Sequence, residues 1–198
     1  MNINIIVAHC KNNGIGFENK MPWHIKSDLK KFKKLTTGRG NNAIVMGRNT
    51  FESINKPLIG RDNLILSSTL NINEKINIEE KTDNNNNIVK SFHNLTLLED
   101  FLKFKKYDEI WVIGGMKIYE IFLSQDITYN LQVQNIYETY IDKEFNCDTF
   151  FPKINTEKFK FMSQEIQKKN INLDNNNLDN NFNIFDRVYS RGDRSARD

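Results

Sequence analysis

The chain has 198 residues, 28 Lys and Arg against 25 Asp and Glu, 38% hydrophobic residues and 14 Phe. That length is one domain able to bury a core, and a net charge of +3 is too small to argue for nucleic acid as a partner. No apolar stretch approaches the ~20 residues needed to span a bilayer; the two cysteines, Cys10 and Cys147, lie far apart, and the histidines, His9, His24 and His93, are scattered, so neither a disulfide framework nor a metal site is suggested.

The N-terminus has no basic leader and no small-residue cleavage site. It reads as a first strand over residues 3–9, and the expected compartment is the cytoplasm. A loop with Gly14-Ile15-Gly16 and then Met21-Pro22-Trp23 follows. Loops at the C-terminal ends of strands are where open α/β sheets bind ligands; an ordinary connection is the bland alternative. Residues 27–35 read as a helix with Ser27 as its N-cap. Asp28 and Phe32 are four apart and share a face. Asp28 is either a first-turn residue that favours the helix dipole or a carboxylate held against apolar groups to meet a cationic, amidine-like edge. Lys26, Lys30, Lys31, Lys33 and Lys34 gather at and just before this helix. Such a run is a solvated face or an attractor of anions.

Residues 42–46 read as a buried strand that ends at Gly47. A helix over 49–54 starts at once, so its first amides and Arg48 suit a phosphate. The strand over 63–66 ends in Ser67 and Ser68, whose hydroxyls beside Arg48 suit a ribose 2′-phosphate. Residues 71–90, with the run Asn84–Asn87, form a polar insertion. A helix over 95–104 follows, then a strand over 109–113 that stops at Gly114-Gly115, then a helix over 117–122. The G-x-G-x-x-G fingerprint is absent, so this is not the ordinary dinucleotide fold. A strand over 136–141, a segment over 159–168, a second Asn-rich insertion over 170–183 and a last strand over 182–189 complete the chain. Strands alternating with helices predict an α/β fold: a central, mostly parallel but mixed sheet with an antiparallel C-terminal hairpin at its edge and helices on both faces. One domain spans residues 1–190; residues 191–198 read as a frayed tail or linker.

Taken together, these motifs closely resemble dihydrofolate reductase. They are Gly14-Ile15-Gly16, Met21-Pro22-Trp23, Asp28-Leu29 with Phe32-Lys33, Val45-Met46-Gly47-Arg48 with Thr50-Phe51 and Ser53-Ile54, Pro57-Leu58 with Gly60-Arg61, Leu66-Ser67-Ser68, Val112-Ile113-Gly114-Gly115 with Ile118-Tyr119, and Asp148-Thr149 with Phe151-Pro152. The resemblance implies hydride transfer from NADPH to C6 of dihydrofolate, a site that also takes antifolates, and a monomer without membrane or nucleic-acid partners. The tail could lead into a thymidylate synthase, as in the fused enzymes of this family.

The resemblance also implies residue roles. Asp28 binds the aminopyrimidine edge of the pterin, Thr139 is its hydroxyl partner, and Trp23 holds an ordered water nearby. Ile6, Val7, Ala8, Leu29, Phe32, Lys33, Ser53, Ile54, Leu58, Ile113 and Tyr119 line the substrate, and Arg61 clamps its glutamate carboxylate. The NADPH residues are Ala8, Ile15, Gly16, Met21, Gly47, Arg48, Asn49, Thr50, Leu66, Ser67, Ser68, Ile113, Gly114, Gly115, Met116, Lys117, Ile118 and Tyr119, with a cis bond between Gly114 and Gly115. Lys117 stands where an arginine is common, giving a point charge in place of a planar fork. A riboflavin-pathway reductase of the same architecture and a non-catalytic relative are the other readings. Asp28 with Phe32 and Arg61 argues against the first. Intact Asp28, Trp23, Arg48 and Gly114-Gly115 argue against the second.

Overall fold

The computed structural model describes residues 1–69, 87–124, 126–167 and 182–192. The bulk of both Asn-rich insertions lies outside these residues. In chain order the described elements are β1 Ile3–Cys10, β2 Gly14–Gly16, α1 Lys26–Thr37, β3 Asn42–Gly47, α2 Arg48–Ile54, β4 Asp62–Leu66, β5 Val89–Phe92, α3 Leu95–Lys105, β6 Glu109–Gly114, α4 Met116–Leu123, β7 Val133–Ile141, β8 Thr149–Phe150, β9 Phe159–Ile166 and β10 Ile184–Arg191.

Eight strands form one sheet in the order β5-β4-β3-β6-β1-β7-β10-β9. The pairs from β5 through β7 are parallel, and β10 is antiparallel to both β7 and β9. This is the expected mixed sheet with its C-terminal hairpin. Alternation along the strands divides the core in two. Ile44 and Met46 of β3, Ile6 of β1 and Trp111 of β6 pack on one face with Phe32 and Leu35 of α1 and with Phe51 and Ile54 of α2. Ala43, Val45, Ile5, Val7 and Val112 pack on the other with Leu98 and Leu102 of α3 and Ile118 and Phe122 of α4. The connection leaving β1 crosses β6 to reach β3, while the one leaving β6 crosses β1 to reach β7. The two diverge between neighbouring strands, and a crevice opens there at the strands' C-terminal ends.

Several expectations need correction. Ser27 does not cap α1: the N-cap is Ile25, which has no side-chain hydrogen bond. The Ser27 hydroxyl donates instead to Gln167 Oε1 at 2.7 Å. The first insertion is shorter than residues 71–90, because Val89 and Lys90 already belong to β5, paired with β4. Phe182, expected both in the second insertion and as the first residue of the last strand, precedes β10 and is buried with Trp23, Ile25 and Ile184. β10 runs to Arg191, whose Nε donates to the Val133 carbonyl at 2.6 Å, so the tail does not start at 191. Cys10 and Cys147, remote in sequence, are free thiols with sulfurs 3.8 Å apart. Gly14 fits beside them only because it lacks a side chain: a Cβ there would lie 2.3 Å from Cys147 Sγ. Among the described residues no helix is long and apolar enough to cross a membrane, and no group of His, Cys, Asp or Glu could hold a metal.

Candidate active site

The crevice is a cavity of about 1160 Å³, larger than the ~300–1,000 Å³ of a usual single-ligand pocket. Every residue expected in the site lines it except Trp23, Thr139 and Gly114. It divides into two halves of different chemistry.

One half lies between α1 and β1. Its walls are Ile6, Val7, Ala8, Leu29, Phe32, Ile54 and Leu58, and Asp28 is the acid among them. Asp28 sits in the first turn of α1, close to the sheet, where the helix turns its apolar face inward. Thr139 of β7, 1% exposed, donates to Asp28 Oδ1 at 2.7 Å. It stands behind the carboxylate and not on the cavity wall. Burial raises the Asp28 pKa above its ordinary 3.8; the Thr139 hydrogen bond and the Lys31 charge oppose the rise, and Asp186 adds to it. Tyr119 is enclosed and pushed above its usual range by burial, with the Asp28 charge adding to the shift. It is therefore a neutral phenol, and it donates to the Ile6 carbonyl at 3.0 Å. Trp23 packs edge-on to Phe145 at 5.3 Å, behind the wall, and its buried Nε1 has no partner among the described residues.

Arg61 closes the far end of this half. It is 3% exposed. Its Nη1 donates to Thr36 Oγ1 at 2.8 Å, Thr37 Oγ1 at 2.7 Å and the Lys33 carbonyl at 3.3 Å. The guanidinium sits 5.6 Å from the Phe32 ring centre. Burial pulls its pKa down, yet an arginine remains a cation at neutral pH. A buried Nε without a partner among the described residues is a donor that an anionic ligand can satisfy.

The other half is floored by two junctions where a strand stops at glycine and a helix begins: β3 to α2 at Gly47, and β6 to α4 at Gly115. The junctions touch. A Cβ on Gly47 would lie 3.1 Å from Ile118, and one on Gly115 would lie 3.4 Å from Thr50 Oγ1. Gly114 has φ +107°, and a Cβ there would press the Tyr119 ring at 2.9 Å, so only glycine fits. The Gly114–Gly115 peptide is cis, as expected. The first amides of each helix have no acceptor within the helix and face the cavity end as donors. Arg48 leads α2, bridging Glu52 at 2.8 Å and Thr69 at 3.2 Å, beside Ser67 and Ser68 on the lining. Donor amides, a cation and hydroxyls on one floor fit a dinucleotide phosphate chain.

β2 and the loop that follows it to α1 line the cavity with Ile15, Gly16 and Met21. It is tied down from the far side: β2 pairs with β8, the Glu18 amide donates to Asp148 Oδ2 at 2.8 Å, and the Asp148 amide donates to the Gly16 carbonyl at 3.0 Å. Sequence reasoning missed Asn19, Lys20, Glu52, Thr69, His93, Asn94, Leu95, Ile121 and Thr149 on the lining. Of these, His93, Asn94 and Leu95 follow β5, and recognising that strand inside the polar tract would have placed them at a strand's C-terminal end.

A sequence model described as dihydrofolate reductase matches residues 2–187. The chain is similar to the dihydrofolate reductase of Haemophilus influenzae, at 34% identity over 168 residues, 85% of this chain and 89% of that protein. It matches the Staphylococcus aureus enzyme of the same name at 34% over 163 residues, 82% of this chain and 86% of that one. Among solved structures it resembles dihydrofolate reductase from Enterococcus faecalis complexed with NADP(H) and RAB-propyl, with a TM-score of 0.70, 25% identity and 97% of each chain covered.

Proposed function

Since the chain belongs to the dihydrofolate reductase family and is an NADPH-dependent reductase of dihydrofolate, we propose that Asp28 is the carboxylate that receives the pterin. The observation that carries this is an acid raised by burial, backed by the Thr139 hydroxyl, in the apolar half of a cavity whose other half suits a dinucleotide. A carboxylate so placed recognises a planar edge carrying N–H donors far better than it recognises an apolar ring. Ile6, Leu29, Phe32 and Ile54 sandwich the ring system, and Arg61 takes the carboxylate at the other end of the substrate. Arg48, Ser67, Ser68 and the glycine junctions hold the cofactor.

NADPH, when bound, supplies the hydride. The protein's own work is positional: two ligands held in one cavity react without paying for their encounter. Asp28 accepts from the pyrimidine edge and polarises the ring, while Tyr119, fixed on the Ile6 carbonyl, shapes the wall beside it. The buried Trp23 Nε1, without a partner among the described residues, suits an ordered water that brings the proton. The tethered loop from β2 to α1 excludes bulk solvent. We also propose action as a monomer in the cytoplasm; the free thiols accord with a reducing compartment.

The test is direct. With NADPH present, absorbance of the reduced nicotinamide should decay only on addition of dihydrofolate. A ribosylated pyrimidine phosphate that served instead would establish the riboflavin-type reaction, and no turnover with either would leave a binding protein.

A further inference from the structure

Of the five lysines on α1, four are exposed and Lys31 is not. Its ammonium donates to Asp186 Oδ1 at 2.6 Å and to Thr139 Oγ1 at 3.2 Å, and its side chain is 22% exposed. Asp186 lies directly across from Thr139 in the β10–β7 register and also accepts from Gln167 Nε2 at 2.9 Å. Thr139 Oγ1 is thus placed among an ammonium and two carboxylates, 2.7 Å from Asp28 Oδ1 and 3.3 Å from Asp186 Oδ1. Proton counting settles its polarity. An ammonium only donates, so Oγ1 accepts from Lys31. The hydroxyl has one proton, and the shorter contact assigns it to Asp28. Without Lys31, two carboxylates would compete for that proton and repel each other.

We propose that Lys31 is a positioning residue of the active site: paired to Asp186, it orients the Thr139 hydroxyl toward Asp28 and keeps Asp28 an anionic acceptor. It acts through Thr139 and Asp186 and lies off the cavity wall. The charges that reach Asp28 are Lys31 from its own helix and Asp186 from β10, the first lowering and the second raising the pKa. β7 contributes Thr139, and α4 contributes the neutral phenol of Tyr119. The inference rests on the reading of Asp28 as the pterin carboxylate.

The experiment is a titration of the ligand-free full chain, with the Asp28 carboxyl followed by carbon-13 NMR. Lys31→Met should move its midpoint up and Asp186→Asn should move it down, each by at least ~0.5 pH unit, because one removes a nearby cation and the other a nearby anion. The double variant should return close to the parent, and Lys31→Arg should hold the parent midpoint. The midpoint of the pH profile of kcat/KM should follow in the same order. General loosening of the site would move both single variants the same way; that result, or no movement in either, overturns the proposal. If Lys31→Met fails to fold, Asp186→Asn and Lys31→Arg still decide it through their own expected midpoints. Failure of the wild-type chain to reduce dihydrofolate would sink the pterin reading while leaving this ligand-free titration intact.

Discussion

Burial of Asp28 costs stability when its carboxyl is charged. Its pKa is raised in the folded protein, first by burial, with Thr139 and Lys31 opposing. For an acid raised on folding, the folded state holds its proton longer than the unfolded chain does. Stability is therefore fullest below the unfolded value and falls as pH rises toward the folded one. Asp28→Asn keeps the shape and removes the charge. Catalysis at neutral pH should fall at least ~10-fold, since a charged hydrogen bond is worth about 1.5–3 kcal/mol. Some activity should return at lower pH, where the substrate arrives already protonated. The same variant should melt higher at neutral pH, on the order of 2 °C for a chain of this length, and this gain should vanish below roughly pH 4. Calorimetry across pH reads the sign; a lower melting point at pH 7 would contradict the burial argument. The spacing of Asp28 and Phe32 was enough to place both on one face in the sequence. Lys31 was not legible, because in a run of lysines nothing local distinguishes the one that a distant strand will neutralise.

At the scale of elements, the long apolar strands and the amphipathic helices could be read with boundaries good to a few residues. Their patterns are set by burial on one or both faces. β5 could not be read: Val89–Phe92 is short, partly exposed and preceded by polar sequence, and its pairing to β4 is a tertiary fact. The two-stranded pairing of β2 with β8 escaped for the same reason, since each is only two or three residues long. Yet that pairing holds the active-site loop. Glu18 N–H and the Thr149 hydroxyl both donate to the Asp148 carboxylate and hold its pKa below the usual carboxylate value, the Glu18 bond foremost. A depressed acid keeps its contact above the unfolded value and loses it only as pH falls through the folded one. Asp148→Ala should therefore speed amide exchange at Glu18 on the order of tenfold. The hydride step should slow while the global melting point barely moves, because the tether is local and solvent-exposed. If Glu18 exchange is unchanged in that variant, the β2–β8 pairing holds the loop without the carboxylate.

At the scale of the whole molecule, the described residues surround a cavity whose two halves differ in chemistry. The core on one side of the sheet supports α1 and α2, the core on the other supports α3 and α4, and the cavity is lined from both groups of elements. Any ligand seated there should bind only the folded state and stabilise it by mass action. At a hundredfold excess over Kd the gain is about 2.7 kcal/mol, or roughly 5–10 °C in melting temperature for a chain of 150–250 residues. If NADPH and a diaminopyrimidine antifolate take different halves, as proposed, each should raise the melting temperature alone and the two increments should at least add. NADH at the same concentration should give a smaller increment than NADPH. Losing a charge-assisted contact between Arg48 and a 2′-phosphate is worth ~1.5–3 kcal/mol, or roughly 10- to 100-fold in affinity. Asp28→Asn then separates the halves: the antifolate increment should collapse, because its cationic ring loses the carboxylate, while the NADPH increment stays, because Arg48, Ser67, Ser68 and the glycine junctions are untouched. Equal increments for NADPH and NADH would remove Arg48 from the phosphate site. An antifolate increment unchanged in Asp28→Asn would move the pterin away from α1 altogether.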